Sequence, residues 1–294
     1  MPDTASTGAS TGVDGLRGDV SGDVPAGLAM PSPAAMPASR WRRILGSSGL
    51  YVGSVVLGLL IWTAAAVLHA KGGLLPAPPA VVRTFGKALS DHSLLLNAWA
   101  SLRRVLIGYG LGMVLAIPIG FAIGWYPPFG KVADPWVQFL RTLPGLAWIP
   151  IVILFLGIGE TAKIWLIFFG SFLACLVAVA GGVRSLDRTM IRAARVLGAN
   201  DRQLFLHIAV PATLPQIFVG MRIALGNAWA TLVAAELIAA PTGLGEMMST
   251  ASQYFQVPTI IVAMISIGVL GLLMDRCIVL LERRFTSWQE RRDG

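Results

Sequence analysis

Charged residues are scarce in this chain: they make up 13% of its 294 residues, whereas hydrophobic residues make up 55% and the mean hydropathy is +0.71. A typical soluble domain carries about 25% charged residues, so this composition excludes an ordinary soluble protein. Cysteine is rare as well. Cys175 and Cys277 lie far apart within apolar stretches, without the spacing of a metal site, and we interpret both as small apolar side chains.

A phosphate-binding loop is also missing. Around the Gly130-Lys131 pair, Trp125 stands where such a loop needs its first glycine, and Val132 stands where it needs Ser or Thr. No Ser/His/Asp or paired-carboxylate arrangement is visible, and we assign no chemistry to the three histidines, His69, His92 and His207. The sequence therefore predicts a protein that is not an enzyme, with no catalytic residue, no bound cofactor and no metal site.

Long apolar runs dominate the rest of the chain. A membrane-spanning helix needs about 20 mostly apolar residues to cross a hydrocarbon core of roughly 30 Å. Five runs meet this requirement, and a sixth is shorter and begins beside Pro144. The predicted spans are 49–69, 105–126, 143–158, 164–183, 217–240 and 259–281. We therefore predict an all-α, polytopic integral membrane protein with six transmembrane helices, whose membrane domain is 40–294.

Basic residues fall mostly on one side of this arrangement if both termini are cytoplasmic, as the positive-inside bias requires. The residues on that side are Arg40, Arg42, Arg43, Lys131, Arg141, Arg184, Arg188, Arg192, Arg195, Arg202, Arg283, Arg284, Arg291 and Arg292. The outer connection 70–102 and the start of the next span are an exception, with Lys71, Arg83, Lys87, Arg103 and Arg104. Cytoplasmic Lys and Arg beside anionic lipid account for the net charge of +8, so we expect a lipid bilayer and no nucleic acid as partner.

Residues 1–39 have a different composition from the rest of the chain. Pro, Ala, Gly, Ser and Thr dominate there, and the basic start and apolar middle of a signal peptide are absent. Such a segment cannot bury enough apolar surface to offset the entropy lost on ordering. We predict a disordered cytoplasmic tail, for which a dispensable role and a regulatory role both stay open.

A polar, Arg-rich segment, RAARVLGANDRQLFLHIAVP, interrupts the apolar sequence between the fourth and fifth predicted spans. Its spaced residues are Arg192, Ala193, Ala194, Gly198, Ile208, Val210 and Pro211. Their order and spacing resemble the signature of ATP-binding-cassette (ABC) import permeases, in which Glu precedes two alanines, Gly follows after three residues, and Ile-x-Leu-Pro follows after nine more. The departures from that signature are Arg192 for Glu and Val210 for Leu.

The resemblance implies a type I ABC importer permease fold in the bacterial inner membrane, with residues 188–211 as the segment that couples to a separate ATPase. The implied coupling residues are Arg192, Ala193, Ala194, Gly198, Ile208 and Pro211. The resemblance further implies a homodimer with two cytoplasmic ATPase subunits and a periplasmic substrate-binding protein. ATP and Mg would be used by the ATPase partner and not by this chain.

The local chemistry of the polar segment indicates two short helices joined by a turn. Residues 189–197 can form the first helix, and Gly198 permits the positive φ that a sharp turn needs. Asn200 or Asp201 can cap a second helix over 203–208. Two prolines are expected to end that second helix before the fifth span, Pro211 and Pro215.

Glu236 is the one acidic residue well inside an apolar run, LVAAELIAA. A charge in a bilayer is costly, so such a residue is a candidate for function. Two interpretations stay open: Glu236 faces the translocation pathway, or it has a structural role and pairs with Arg222 or another base. Asp275 and Arg276, near the cytoplasmic end of the last span, are expected to be interfacial.

Glycine patterns mark the second span and the outer loop before the sixth. Gly108 and Gly112, and then Gly120 and Gly124, are spaced for close helix packing, and Pro118 between them favours a kink. Tight packing and a bending gate element are both possible roles. In the outer loop, 241–255 opens with turn residues and continues at helical spacing, which predicts a short outer helix.

Longer stretches narrow the resemblance to the nitrate/sulfonate/taurine branch of these permeases. The stretches are 141–164, 192–211 and 226–248, and the run TLVAAELIAAPTGLG is most similar to taurine importers. The resemblance implies uptake of a small sulfonate, with taurine as the first candidate and other alkanesulfonates, nitrate or bicarbonate as alternatives. An ion-coupled secondary transporter, expected to carry several mid-membrane charges, and a membrane scaffold are the alternatives of other classes.

Overall fold

The computed structural model describes residues 40–68 and 75–286, and within these ranges the regular structure is entirely helical. The helices are α1 Arg40–Leu68, α2 Pro78–Ser90, α3 Ser93–Trp125, α4 Pro127–Thr142, α5 Ile149–Leu156, α6 Glu160–Arg184, α7 Arg188–Val196, α8 Asp201–Gln203, α9 Val210–Ala239, α10 Leu244–Gln253 and α11 Val257–Phe285. A 3₁₀ turn, Gly145–Trp148, precedes α5, and a π-helical segment, Leu204–Ala209, joins α8 to α9. The predicted disordered tail, 1–39, lies outside the described residues.

Four helices of the described ranges are long and apolar enough to cross a membrane: α3, α6, α11 and the stretch from α8 through α9. They contain the predicted spans 164–183 and 259–281 completely, and 105–126 and 217–240 except for the last residue of each. The predicted first span, 49–69, overlaps α1, whose last part, Val56–Leu68, is a shorter apolar helix; residue 69 lies outside the described residues. These helices confirm the prediction of an all-α, polytopic membrane protein.

The predicted span 143–158 is not a straight transmembrane helix. The chain bends by 92° between α4 and the helical stretch Gly145–Leu156, so the two helices count together as at most one broken span. Leu143 precedes Pro144 and takes an extended conformation, with φ −78° and ψ 121°, which allows the chain to bend here.

The core forms where α3 packs against α6 and α6 packs against α9. Four glycines of α3 face α6, and a Cβ atom added at Gly112 would stand 2.5 Å from the Ser171 hydroxyl oxygen. One added at Gly124 would stand 2.5 Å from Cβ of Val183. The glycine pattern therefore serves close packing, as predicted, because two backbones in lipid associate best when they approach closely. α3 continues through Pro118 as one helix.

The predicted second helix of the polar segment, 203–208, does not end at its prolines. Helical structure runs from Asp201 through the π segment into α9, and Pro211 and Pro215 lie inside that continuous stretch. Pro211 is the second residue of α9, directly after the π segment, and local π-helical adjustments satisfy the backbone groups that a proline frees inside a membrane helix. The prediction that these prolines terminate the helix is therefore wrong, and the polar segment is continuous with a membrane span.

Candidate functional site

Residues 188–211, which the resemblance assigns to coupling and which we call the elbow, begin with a well-capped helix. The Asp187 carboxylate accepts a hydrogen bond of 2.7 Å from the backbone N–H of Thr189, at the N-terminus of α7. This hydrogen bond holds the pKa of the Asp187 carboxyl below its usual range. The helix covers Arg188–Val196, which confirms the helix predicted over 189–197.

Gly198 forms the turn of the elbow with a φ of +86°, as its position in the sequence predicts. A side chain is strained at such a φ, although a Cβ atom would meet no neighbour there. After the turn, Asn200 accepts from the Gln203 backbone N–H at 2.8 Å, while the Gln203 side chain accepts from the Asn200 backbone N–H at 3.0 Å. Of the two predicted caps, Asn200 is therefore the one used, in a reciprocal capping box.

The surface of the elbow carries unpartnered apolar side chains. Val196 is 88% exposed and Leu197 is 87% exposed, directly before Gly198. Among the residues that the resemblance assigns to coupling, Arg192 and Ala193 are exposed and Ala194, Ile208 and Pro211 are partly buried. Large apolar side chains that project from a short helix into solvent indicate a contact surface rather than a packed core.

Phe205 attaches the elbow to the membrane core. Its ring meets the rings of Phe121 and Trp125 edge-on, with centroids 5.6 Å and 5.8 Å away, and both partners belong to the last two turns of α3. Leu204 and Ala209, on either side in the π segment, are fully buried. The sequence analysis did not identify Phe205, because an aromatic residue within a polar segment is a weak signal without knowledge of its partner.

Glu236 lies at the centre of a second polar site and is only 1% exposed. Its carboxylate accepts from Arg104 Nη1 at 2.6 Å, from the Ser101 hydroxyl at 2.8 Å and from the Gly245 backbone N–H at 2.9 Å. The base that pairs with Glu236 is therefore Arg104. Arg222 binds Asp275 instead, at 2.7 Å and 3.2 Å, and so links α9 to α11.

Arg104 is 2% exposed and holds a second carboxylate with its other nitrogens. Its Nε and Nη2 donate to the two oxygens of Glu160, each at 2.7 Å, and Lys163 donates to Glu160 at 2.9 Å. We call Ser101, Arg104, Glu160, Lys163 and Glu236 the outer polar cluster. Its two cations and two carboxylates balance, so neither buried base of the cluster is left without a counter-charge.

The outer polar cluster also fixes the turn before α10. Three successive backbone N–H groups are bound there: Gly243 donates to Asn97, Leu244 to Ser101 and Gly245 to Glu236, each at 2.9 Å. Gly243 has a φ of +135°, and a Cβ atom at this position would collide with the Glu236 carboxylate. Glu236 therefore acts as an N-terminal cap for α10, which confirms a short helix within 241–255 and supports the structural interpretation of Glu236.

A cavity of about 620 Å³ opens between α6, α9 and the turn that follows α4. Its wall is mainly apolar, and its polar side chains are Arg141, Asn227 and Thr231. Gly145 and Gly170 pack against the methyl group of Thr231, so a Cβ atom at either glycine would stand less than 3 Å from it, at 2.7 Å and 2.9 Å respectively. This close packing fixes the turn after α4 against α9 and leaves the cavity beside it.

Comparison with known proteins identifies the family. Residues 108–287 match the family model described as binding-protein-dependent transport system inner membrane component. The chain belongs to this family. It is an ABC importer permease subunit, and it lies in the inner membrane as a multi-pass protein.

Relatives of the permease extend over nearly its whole membrane domain. "Probable ABC transporter permease protein BAB2_1148" of Brucella abortus (strain 2308) is 50% identical over 244 residues, covering 83% of this chain and 96% of the relative. The taurine transport system permease protein TauC of Escherichia coli (strain K12) is 34% identical over 256 residues, covering 85% and 93%. The bicarbonate transport system permease protein CmpB of Synechocystis (strain PCC 6803) is 33% identical over 263 residues, covering 85% and 92%.

The fold of the permease agrees with that of a solved transporter. A chain of the inward-facing MetNI methionine ABC transporter superposes with a TM-score of 0.56 at 19% identity, covering 65% of this chain and 94% of that chain. At this identity the similarity shows the fold alone. The predictions of an all-α permease fold and of membership in this permease family are confirmed, and the family replaces the alternative of an ion-coupled secondary transporter.

Proposed function

We propose that this permease imports a small sulfonate, with taurine as the first candidate, in an assembly driven by ATP hydrolysis in a separate subunit. The observation that carries the proposal is the alignment with TauC, which is 34% identical over 256 residues and covers 93% of that protein. Relatives named for aliphatic sulfonate transport and for bicarbonate transport have comparable identities, 35% and 33%. These relatives share small oxyanions as their cargo, and they define the competitors against which the substrate must be tested.

The proposed assembly is a homodimer of this chain, with two cytoplasmic ATPase subunits and a periplasmic substrate-binding protein. Both termini are placed in the cytoplasm, where the basic elbow lies next to the ATPases and anionic lipid. ATP and Mg are used by the ATPase subunits, so this chain supplies the pathway and the mechanical contact. The exposed Val196 and Leu197, adjacent to Gly198, support the placement of an ATPase contact at the elbow.

Motion of the ATPases on binding ATP is transmitted through the elbow as a rigid body in this proposal. The elbow is continuous with α9 through the π segment, and Phe205 connects it to the end of α3. A displacement of α7 and α8 therefore moves two membrane helices that belong to the packed core. The pathway alternates between outward-facing and inward-facing states, as in other alternating-access transporters.

The experiment is uptake of radiolabelled taurine into proteoliposomes that contain the permease, its ATPase and its binding protein. We expect uptake that requires ATP and the binding protein, and that excess unlabelled taurine suppresses more strongly than alkanesulfonates, nitrate or bicarbonate. Uptake driven by an ion gradient without ATP would contradict the transport class. ATP-dependent uptake of nitrate or bicarbonate that taurine does not inhibit would contradict the sulfonate assignment and leave the class intact.

A further inference from the structure

The cavity between α6, α9 and the turn after α4 has an asymmetric charge. Arg141 is the one charged residue of its lining, which contains no carboxylate. Three other basic residues of the membrane helices are paired with carboxylates: Arg104 and Lys163 in the outer polar cluster, and Arg222 with Asp275. Arg141 has no hydrogen bond or ion pair to any part of the chain that the structure describes.

Asn227 is the second free donor in the cavity wall. Its carboxamide makes no hydrogen bond within residues 40–68 and 75–286, whereas its backbone carbonyl accepts from the Thr231 hydroxyl at 2.8 Å. Thr231 lines the cavity too, but its proton is already donated to that carbonyl, so it offers no further donor. The cavity therefore presents an exposed guanidinium and an exposed carboxamide, both without a protein partner among the described residues, on an otherwise apolar wall that includes Phe169 and Leu173.

We infer that this cavity is a transit site for a small oxyanion, held by the Arg141 guanidinium and the Asn227 carboxamide. A guanidinium donates two parallel N–H groups, which match two oxygens of one anionic headgroup. A cation would find no counter-charge in this lining and would have to lose its hydration near Arg141, which repels it. The volume, about 620 Å³, lies within the range of small-molecule sites and leaves room for a short organic substituent beside the apolar wall.

The inference deepens the proposed function and rests on it, because it assigns residues of this chain to the recognition of the transported anion. It also separates two tasks. An external binding protein selects among anions, whereas Arg141 stabilises any small oxyanion during passage. Sulfonates, nitrate and bicarbonate share the chemistry that Arg141 and Asn227 recognise, so the cavity alone does not choose between them.

The test compares Arg141→Gln and Asn227→Leu with a matched control, Arg276→Gln, in the complete reconstituted complex. Arg276 is an exposed arginine of α11 that lies outside the cavity lining, so its substitution removes the same charge elsewhere. Arg141→Lys retains the positive charge but loses the two parallel N–H groups of the guanidinium. Uptake of taurine, an alkanesulfonate, nitrate and bicarbonate is measured together with ATP hydrolysis stimulated by the loaded binding protein and with assembly by gel filtration.

We expect Arg141→Gln to lower uptake of the transported anion by about tenfold or more, the order expected when a hydrogen bond to a charged group is lost. Asn227→Leu should lower it less, Arg141→Lys should retain part of it, and assembly should stay intact in every variant. If Arg141→Gln and Arg276→Gln take up the anion equally well, the inference is overturned. Taurine uptake by the wild-type complex would still support the proposed function in that case. Wild-type uptake of nitrate or bicarbonate only, lost in Arg141→Gln, supports the inference and overturns the sulfonate assignment.

Discussion

The elbow and the outer polar cluster differ in the burial of their charged side chains. In the cluster, Arg104 and Glu236 are buried and bound to each other at 2.6 Å, and each has further hydrogen-bond partners. In the elbow, Arg195 and Asp201 meet at 3.2 Å with side chains that are 62% and 85% exposed. The elbow also exposes large apolar side chains. In the cluster, every polar side-chain atom has a partner among the described residues.

This difference indicates that the cluster has a fixed structure and that the elbow offers a surface for another protein to bind. A buried, fully satisfied charge network has one arrangement of low energy, and it joins α3, α6, α9 and the start of α10. Exposed charges contribute little to stability, and exposed Val196 and Leu197 gain hydrophobic free energy only when another surface covers them. The comparison therefore predicts that substitutions in the cluster affect folding and substitutions in the elbow affect coupling.

The largest effect is expected for Glu236→Gln. The variant keeps the volume of the side chain, but its NH₂ group must face one of two donors, either Arg104 Nη1 or the Gly245 N–H, and Arg104 loses one of its two carboxylate partners. Removing one partner of a buried ion pair costs about 3 to 5 kcal/mol, so we expect a large loss of folded protein and of thermal stability in detergent. The measurement is the unfolding midpoint of the purified permease, together with its yield from membranes.

Ser101→Ala is the matched control for Glu236→Gln, because it removes a neutral donor to the same carboxylate and the acceptor of the Leu244 N–H, and leaves both charges paired. Its stability should fall by a smaller amount. A Glu236→Gln protein that is as stable as wild type but fails to transport would return Glu236 to the pathway and contradict the structural role described for it.

The second largest effect is expected for Gly198→Ile, and it should appear in coupling. A β-branched residue at a φ of +86° costs about 1 to 3 kcal/mol of strain, which the elbow can relieve only by changing the angle between α7 and α8. We expect ATPase binding or transport to be lost while the membrane core stays folded. Gly198→Asn is the matched control, because Asn tolerates this backbone region, and it should retain most of the transport.

The sequence predicts the elbow better than the cluster, for a physical reason. Helix caps and a glycine turn act over a few residues, so Gly198 and Asn200 follow from local chemistry, and their roles are confirmed. In the cluster, Glu160 and Glu236 follow Arg104 by 56 and 132 residues respectively, and no local pattern joins the three. The sequence singled out Glu236 by its cost in a bilayer but left its partner open between Arg222 and another base.

The errors in the fold prediction have the same origin. Hydropathy identifies the apolar stretch 143–158, but the 92° bend beside Pro144 depends on how the turn packs against Thr231 of α9. Likewise, Pro211 and Pro215 are strong local signals for a helix end, yet a π segment and burial in the core carry the helix through both residues. Tertiary packing decides these cases against local preference.

A third prediction concerns the apolar surface of the elbow. Leu197 is 87% exposed, so Leu197→Ser removes almost no contact within the chain and should leave the unfolding midpoint unchanged. If the ATPase covers this side chain, its affinity should fall by about tenfold, the order expected from the loss of one buried leucine. Binding of the purified ATPase is the measurement, with Leu206→Ser, an exposed leucine of the π segment, for comparison. Equal losses in the two variants would spread the contact beyond α7.

The smallest effect is expected for Asp201→Asn, which makes in the elbow the same carboxylate-to-amide change that Glu236→Gln makes in the cluster. The ion pair with Arg195 is exposed at both ends, and such pairs contribute about 0 to 1 kcal/mol, reduced further by salt. We expect the unfolding midpoint to change by less than the error of the measurement in 0.15 M salt. A loss comparable to that of Glu236→Gln would mean that distance between charges, rather than their burial, sets the stability of ion pairs in this protein. Since the two pairs differ by only 0.6 Å in length but by nearly the full range of exposure, the pair of variants separates these two causes directly.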